Sequence, residues 1–289
     1  MSLRLDAHQH FWRYRPTEFA WIDGRMAGLQ RDHLPADLQP HLQRAGFDGC
    51  IAVQARTLEE ETDFLLDLAA RTPWVQAVVG WTDLRAADLV ARLERRQGSR
   101  HLRGFRHPVQ DEADPGAWLA DAAANRGVAT LQRHGYLYEL LIHAETLPAA
   151  TAFAARHDHG VLVLDHLGKP PGRVAPADYA RLLAPLAQLP HVHCKLSGLV
   201  TEADWQGWQG WQAEQLLPYA RIALEAFGPE RLLFGSDWPV CTLAASYAEV
   251  VDLAEQALLD LTPAERAAVF GGNAARLYGL GSQPREAVA

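Results

Sequence analysis

The sequence predicts an α/β protein, a single (β/α)8 barrel of the TIM type. Three observations predict it. Eight short runs rich in Val, Ile, Leu and aromatics alternate with helical patterns along the chain, as expected of a parallel sheet covered by helices. The length of 289 residues suits one such barrel, which takes about 250, although a rule of about 150 residues per domain would give two. No Gly-x-Gly-x-x-Gly turn follows the first run, which counts against an open doubly wound sheet, the next architecture in line.

The eight runs cover 3–8, 49–55, 75–81, 102–107, 136–142, 161–165, 192–197 and 232–236. Their brevity and apolar content are those of buried parallel strands. Helices are expected over 36–45, 84–97, 115–125, 145–158, 177–188 and 211–227. Three more are announced by capping boxes or breakers. Thr57 and Glu60 have the spacing of a capping box, and Leu58, Phe64, Leu65 and Leu68 follow on one face. Ser246 and Glu249 repeat the box ahead of Val250, Leu253 and Ala257. Thr262 and Glu265 do so again, with Pro263 at the first helical position. Gly271-Gly272 should stop that helix, and Asn273 should cap the last short one. No repeat, linker or low-complexity stretch divides the chain, so 1–281 is expected to form one domain and 282–289 a frayed tail.

Composition narrows the function classes. Hydrophobic residues at 48% and charged residues at 21% exclude a disordered or fibrous chain. A net charge of −8 repels phosphate backbones and argues against nucleic acid as a partner. No apolar run approaches the roughly 20 residues of a membrane span. The start, Met-Ser-Leu-Arg-Leu-Asp-Ala-His, turns polar too early for a secretory signal. Cys50, Cys194 and Cys241 are odd in number and far apart, which suggests reduced thiols in a cytoplasm.

Barrel enzymes place their chemistry at the C-terminal ends of the strands. His8 and His10, two apart in an extended chain, point to the same side. Arg103, Phe105 and His107 alternate on the fourth run. Asp165-His166 ends the sixth, His193, Lys195 and Ser197 alternate on the seventh, and Asp237 ends the eighth. Each has a bland reading: surface or capping histidines, a snorkelling lysine, or Asp237 as a helix N-cap. His134, His157 and His159 follow helical patterns and are expected on the outside. A closed barrel would bring the histidines and the aspartate into one cup, and that convergence is the functional signal.

Several segments resemble the amidohydrolase superfamily, in the amidohydrolase-2 branch that holds L-fucono- and L-rhamnono-lactonases. They are Asp6-Ala-His-Gln-His-Phe-Trp12, Arg31-Asp-His-Leu-Pro35, Leu102-Arg-Gly-Phe-Arg-His107, Leu164-Asp-His-Leu-Gly-Lys-Pro170, Cys194-Lys-Leu-Ser-Gly-Leu-Val-Thr-Glu202, Leu233-Phe-Gly-Ser-Asp-Trp-Pro-Val240 and Gly271-Gly-Asn-Ala-Ala-Arg-Leu-Tyr278. The L-fuconolactonase type looks closest. The resemblance assigns His8 and His10 to the first-strand pair, His166 to the sixth-strand histidine and Asp237 to the eighth-strand aspartate. It departs from the binuclear-metal pattern. No bridging lysine or glutamate ends the fourth run, where His107 stands, and His143 is a doubtful match for a fifth-strand ligand. The branch includes members that work without metal. No cofactor is therefore expected to be required, and His8, His10 and Asp237 would hold a single zinc or other divalent ion if one is bound.

The resemblance implies hydrolysis of a sugar lactone, a small molecule. Asp237 would take a proton from water, and His8, His10 and His166 would polarise the carbonyl. Trp12 and Trp238 would stack on the sugar ring; Arg103, His107 and, from a loop, Arg31 and His33 would read its hydroxyls. Packing roles compete for Trp12, Arg31 and His33. Three other readings stand beside this one: a zinc-dependent non-oxidative decarboxylase of the same superfamily, a metal-dependent deoxyribonuclease, and an inactive sugar-binding barrel. The net charge speaks against the deoxyribonuclease.

Overall fold

The computed structural model describes residues 3–203 and 210–280; the expected tail from 282 lies outside the described residues. Eight parallel strands run in chain order through one sheet: β1 Leu5–Gln9, β2 Gly49–Val53, β3 Val75–Gly80, β4 Leu102–His107, β5 Leu137–Leu140, β6 Leu162–Leu164, β7 Val192–Leu196 and β8 Leu232–Phe234. All eight expected runs are strands, several of them shorter than expected. The ring closes just beyond β8, where Gln9 pairs with Trp238 in a parallel bridge. The fold is a (β/α)8 barrel.

Alternation along the strands builds two layers. Ile51, Val53, Ala77, Val79, Leu137, Val163 and Leu233 fill the barrel interior, floored by Ala274 and Tyr278 of the last helix. Their strand neighbours, among them Ala52, Val78, Phe105, Tyr138, Leu164, Cys194 and Phe234, pack outward under the helices. Loop residues Trp12, Phe19, Ile22 and Leu29 make a third, small core.

The helices depart from expectation at particular caps. The box at Thr57 does not form. The helix starts at Glu59, with Leu58 at the N-cap, because Glu61 turns back to accept from the Ala55 N–H and to pair with Arg56. Ser246 and Thr262 do cap their helices as full boxes. The segment 84–97 is helical only over Leu89–Glu94. The segment 115–125 breaks at Asp121, whose side chain caps a new helix, Ala122–Arg133. Asn273 does not cap. Its amide bonds the carbonyls of Pro229 and Leu232 instead.

Candidate active site

The site begins with a disturbance in β1. Its register on β2 shifts between Asp6 and Gln9. Leu5 and Ala7 thus fill the barrel low down, while His8 and His10 face the site above them; such bulges re-aim side chains. Asp6 faces outward and accepts from the N–H groups of His8 and Ser236 and from the Tyr247 hydroxyl. It thereby ties the first strand to the turn that carries Asp237.

His166 and Asp237 both sit on strained turns. His166, Leu167, Gly168 and Lys169 are consecutively left-handed (φ 52°, 55°, 73° and 54°), and Asp237 has φ 59°. Each non-glycine residue there costs about 1–2 kcal/mol, a kind of strain that gathers at functional sites. Two glycines make room for the rings. A Cβ on Gly198 would lie 2.5 Å from His166 Nδ1, and one on Gly235 would lie 2.5 Å from His8 Cβ.

Four side chains converge. Nε2 of His8 and of His10 are 3.2 Å apart. Oδ1 of Asp237 lies 3.3 Å from His10 Nε2 and 3.8 Å from Nε2 of both His8 and His166. The far ring nitrogens are held from behind: His10 Nδ1 donates to the Val53 carbonyl at 2.8 Å, and His166 Nδ1 bonds the Ser197 hydroxyl at 2.8 Å. Burial drives His8 and His166 well below the ordinary imidazole range, overriding the pull of Asp165 and Asp237. Burial opposes ionisation of Asp237, yet the His166 and His10 rings and the bond from His10 keep its carboxyl below the usual value. Asp237 is thus held as a carboxylate, while burial favours the neutral rings of His8 and His166.

Beneath them lies a fully buried ion network. Lys195 Nζ is 2.5 Å from Glu139, 3.2 Å from Asp165 and 3.0 Å from His8 Nδ1. Arg106 donates to Asp165 at 3.0 Å, bonds Gln54, and comes within 3.1 Å of His8 Nε2. Tyr278 donates to Glu139 at 2.5 Å from the barrel floor.

Above the four residues opens a cavity of about 830 Å3, walled by His10, His166, Asp237, Arg106, His107 and Lys169 among others. The cavity takes in three of the four proposed catalytic residues, and His8 lies just behind. Of the six expected substrate contacts only His107 lines it. Arg103 falls on the register of Phe105, which packs outward against Tyr136. Gly104 and Arg106 are the inward residues of β4, so the expected face is off by one. Trp12 is buried, with its indole N–H on the Arg31 carbonyl. Arg31 contributes that carbonyl and directs its guanidinium to the Asp32 carbonyl rather than to the cavity. His33 is wedged edge-on between Trp12 and Trp238, and Trp238 is buried beside Phe11. Trp12, His33 and Trp238 are thus buried by packing, and Arg31 is exposed away from the cavity. Trp21 and Trp81 take the place of the expected aromatic wall. Trp21 follows no strand and carries no local signal, whereas Trp81 ends the third run and could have been read there. His143 does not line the cavity.

The donor set fits one divalent ion. Ligand atoms about 2.0–2.2 Å from a tetrahedral zinc ion stand at the kind of spacing that separates His8, His10 and Asp237. Ring nitrogens braced from behind are usual at metal centres. His166 also comes within ligand distance of His8 and Asp237, whereas a further cluster, His8, Glu139 and Asp165, already encloses the Lys195 ammonium.

The chain is 50% identical over 287 residues to an L-fucono-1,5-lactonase of Burkholderia multivorans, covering 96% of this chain and 97% of that one. It is 38% identical over 285 residues to an L-fucono-1,5-lactonase of Burkholderia ambifaria, covering 96% of each. A crystal structure of an amidohydrolase from Burkholderia multivorans with bound zinc superposes with a TM-score of 0.93 at 50% identity, over 96% of this chain and all of that one. Residues 5–280 match the amidohydrolase family, and with a strand-one His-x-His pair facing a strand-eight aspartate across the mouth of the barrel, the chain belongs to that family.

Proposed function

We propose that the protein hydrolyses a sugar lactone, an aldonic-acid ester of the L-fucono-lactone kind, to the open-chain acid. The observation that carries this reading is the Asp237 carboxylate, set among His8, His10 and His166 at the floor of a cavity large enough for a sugar. Half-identity to an L-fucono-1,5-lactonase over nearly the whole chain supports the substrate class.

A lactone is a cyclic ester, so its hydrolysis needs a base for water and donors for the carbonyl oxygen. Asp237 takes a proton as water adds to the carbonyl carbon. His166 and His10, with Arg106 on the same wall, hold the negative charge that grows on the carbonyl oxygen. The ring C–O bond then breaks, and Asp237 returns its proton to the departing hydroxyl. Atoms balance: one water in, one hydroxy acid out. Trp21 and Trp81 offer flat apolar surface to the sugar ring.

His8, His10 and Asp237 would hold a divalent ion, and such an ion would polarise the carbonyl or acidify the water. On our reading turnover does not require it. Lys195 and Arg106 already fix two positive charges within 3.1 Å of His8. The three cysteines, all buried and unpaired, fit a reducing cytoplasm. Among the described residues no helix is long and apolar enough to cross a membrane.

The test is acid release, followed with a pH indicator, from a panel of sugar lactones that includes L-fucono-1,5-lactone. Turnover of at least one neutral sugar lactone well above its spontaneous opening is expected. No acceleration across the panel would overturn the reading.

A further inference from the structure

The left-handed turn that carries His166 also carries Lys169. The Lys169 N–H closes the turn on the His166 carbonyl at 2.8 Å, and both side chains line the cavity. The turn therefore fixes the Lys169 backbone against the reacting centre, and an ion pair holds its ammonium. Its partner arrives from the next strand: Glu202 ends the short helix Leu199–Glu202 that follows β7. Lys169 Nζ meets Glu202 Oε1 at 3.1 Å, with the two side chains only 17% and 13% exposed. Arg173 Nε stands 3.7 Å from the other carboxylate oxygen.

We propose that Lys169 and Glu202 form a hydroxyl-reading pair, a subsite for two adjacent hydroxyls on the ring of a neutral sugar substrate. The proposal rests on the lactonase reading above and specifies how that site chooses its substrate. An ammonium has three N–H donors and a carboxylate about four acceptor positions. One contact between them leaves both with capacity toward the cavity. A hydroxyl both donates and accepts, and neighbouring ring hydroxyls stand about one hydrogen-bond length apart. One hydroxyl accepts from Nζ while its neighbour donates to Glu202. An anionic group fits less well, because the carboxylate stands between the two cations and would face the anion. The pair is mostly desolvated, which is the condition under which a missing hydroxyl is felt strongly.

The experiment compares a fully hydroxylated aldono-lactone with analogues that lack one ring hydroxyl at a time, in the wild type, Lys169→Met and Glu202→Gln. At one adjacent pair of positions the wild type should lose about 10- to 100-fold in kcat/KM when either hydroxyl is removed, the worth of a hydrogen bond to a charged group. Each variant should lose a similar factor on the full lactone and discriminate little at its own position. Equal losses on full and deoxy lactones would overturn the pairing. So would a wild type indifferent to every hydroxyl, a result that needs no variant to fold. Preference for a carboxylate-bearing lactone would also overturn it, in favour of anion recognition. Calorimetric binding of the corresponding lactams, whose ring amide resists opening, repeats the comparison without turnover. A protein that opens no lactone but discriminates the lactams would lose the reaction and keep the pair.

Discussion

The ammonium of Lys195 lies 3.0 Å from Nδ1 of His8, with both side chains fully buried. Its other neighbours are Glu139, which accepts a second hydrogen bond, and Asp165, whose Oδ1 stands 3.2 Å away as an ion pair. Breaking a buried pair by removing one partner costs about 3–5 kcal/mol. Lys195→Met should lose that much in denaturant unfolding, and Lys195→Met/Glu139→Gln should recover part of it. A loss below about 1 kcal/mol, the scale of a surface pair, would mean that the network contributes little.

Asp237→Asn tests the base. Asparagine is nearly isosteric and does not accept water's proton, so kcat should fall by roughly 10²- to 10⁴-fold. KM should change much less, because the group acts mainly in the transition state. The Asp237 side chain caps no helix, since Pro239 precedes the short helix Val240–Leu243. The unfolding midpoint should therefore move little. Near-normal kcat in the folded variant would remove Asp237 from the mechanism.

Chelation should leave most of the kcat in place. A guanidinium and an ammonium already flank His8 within 3.1 Å, and they repel a further cation while supplying part of its electrostatics. Turnover is measured on chelated protein and again after zinc is restored. Complete loss with full recovery would make the ion essential.

Neutral lactones should be preferred to dicarboxylate lactones. Carboxylate recognition favours a bidentate guanidinium with its donors to spare. On the cavity wall Arg106 is committed to Asp165, Arg56 to Glu18 and Glu61, and Arg25 to Asp23, while the remaining cations, Lys169 and Arg173, both face the Glu202 carboxylate, which would repel a second carboxylate. Higher kcat/KM for a dicarboxylate lactone would reverse the substrate assignment.

Asp6 links stability to pH. Burial raises its pKa from 3.8 to about 6, against the bonds from Ser236, His8 and Tyr247. The folded protein thus holds this proton more tightly than the unfolded chain. The stability it adds is complete below 3.8 and is lost as pH rises through about 6. The span amounts to roughly 3 kcal/mol. Asp6→Asn is neutral throughout, and its amide can donate to the Tyr247 oxygen. The variant should therefore gain on the wild type between about pH 4 and about pH 7. A stability difference that stays constant across that window would mean that Asp6 does not titrate there.

Strand number, order and the four convergent residues were legible because each rests on a local pattern: a short apolar run, a two-residue alternation, or an acid after the last strand. The substrate wall was not. Reading Arg103 inward required the phase of β4, and the phase is set by which neighbours pack on Tyr136, a contact made only after folding. Trp12 and Trp238 carry the aromatic signal of a sugar platform, yet lie one layer deeper, Trp12 because Phe19, Ile22 and Leu29 fold over it and Trp238 because Phe11 and His33 pack against it. Lys195 reads in sequence as a snorkelling lysine, and only closure of the barrel brings Glu139 and Asp165 to it.

The main-chain bonds between the two ends of the barrel set the order in which chemistry can appear. Asp237 N–H donates to the His8 carbonyl at 2.8 Å and His10 N–H donates to the Trp238 carbonyl at 2.7 Å, and beside them Ser236 N–H donates to the side-chain carboxylate of Asp6, 230 positions away. Pairings so distant in sequence are the slow ones to form. A chain emerging from a ribosome carries its histidine pair from the outset but meets the aspartate only when its final strand docks. Turnover is thus a late reporter of assembly: on refolding, catalysis should trail the return of helix, and no fragment ending before β8 can hold a partly working site.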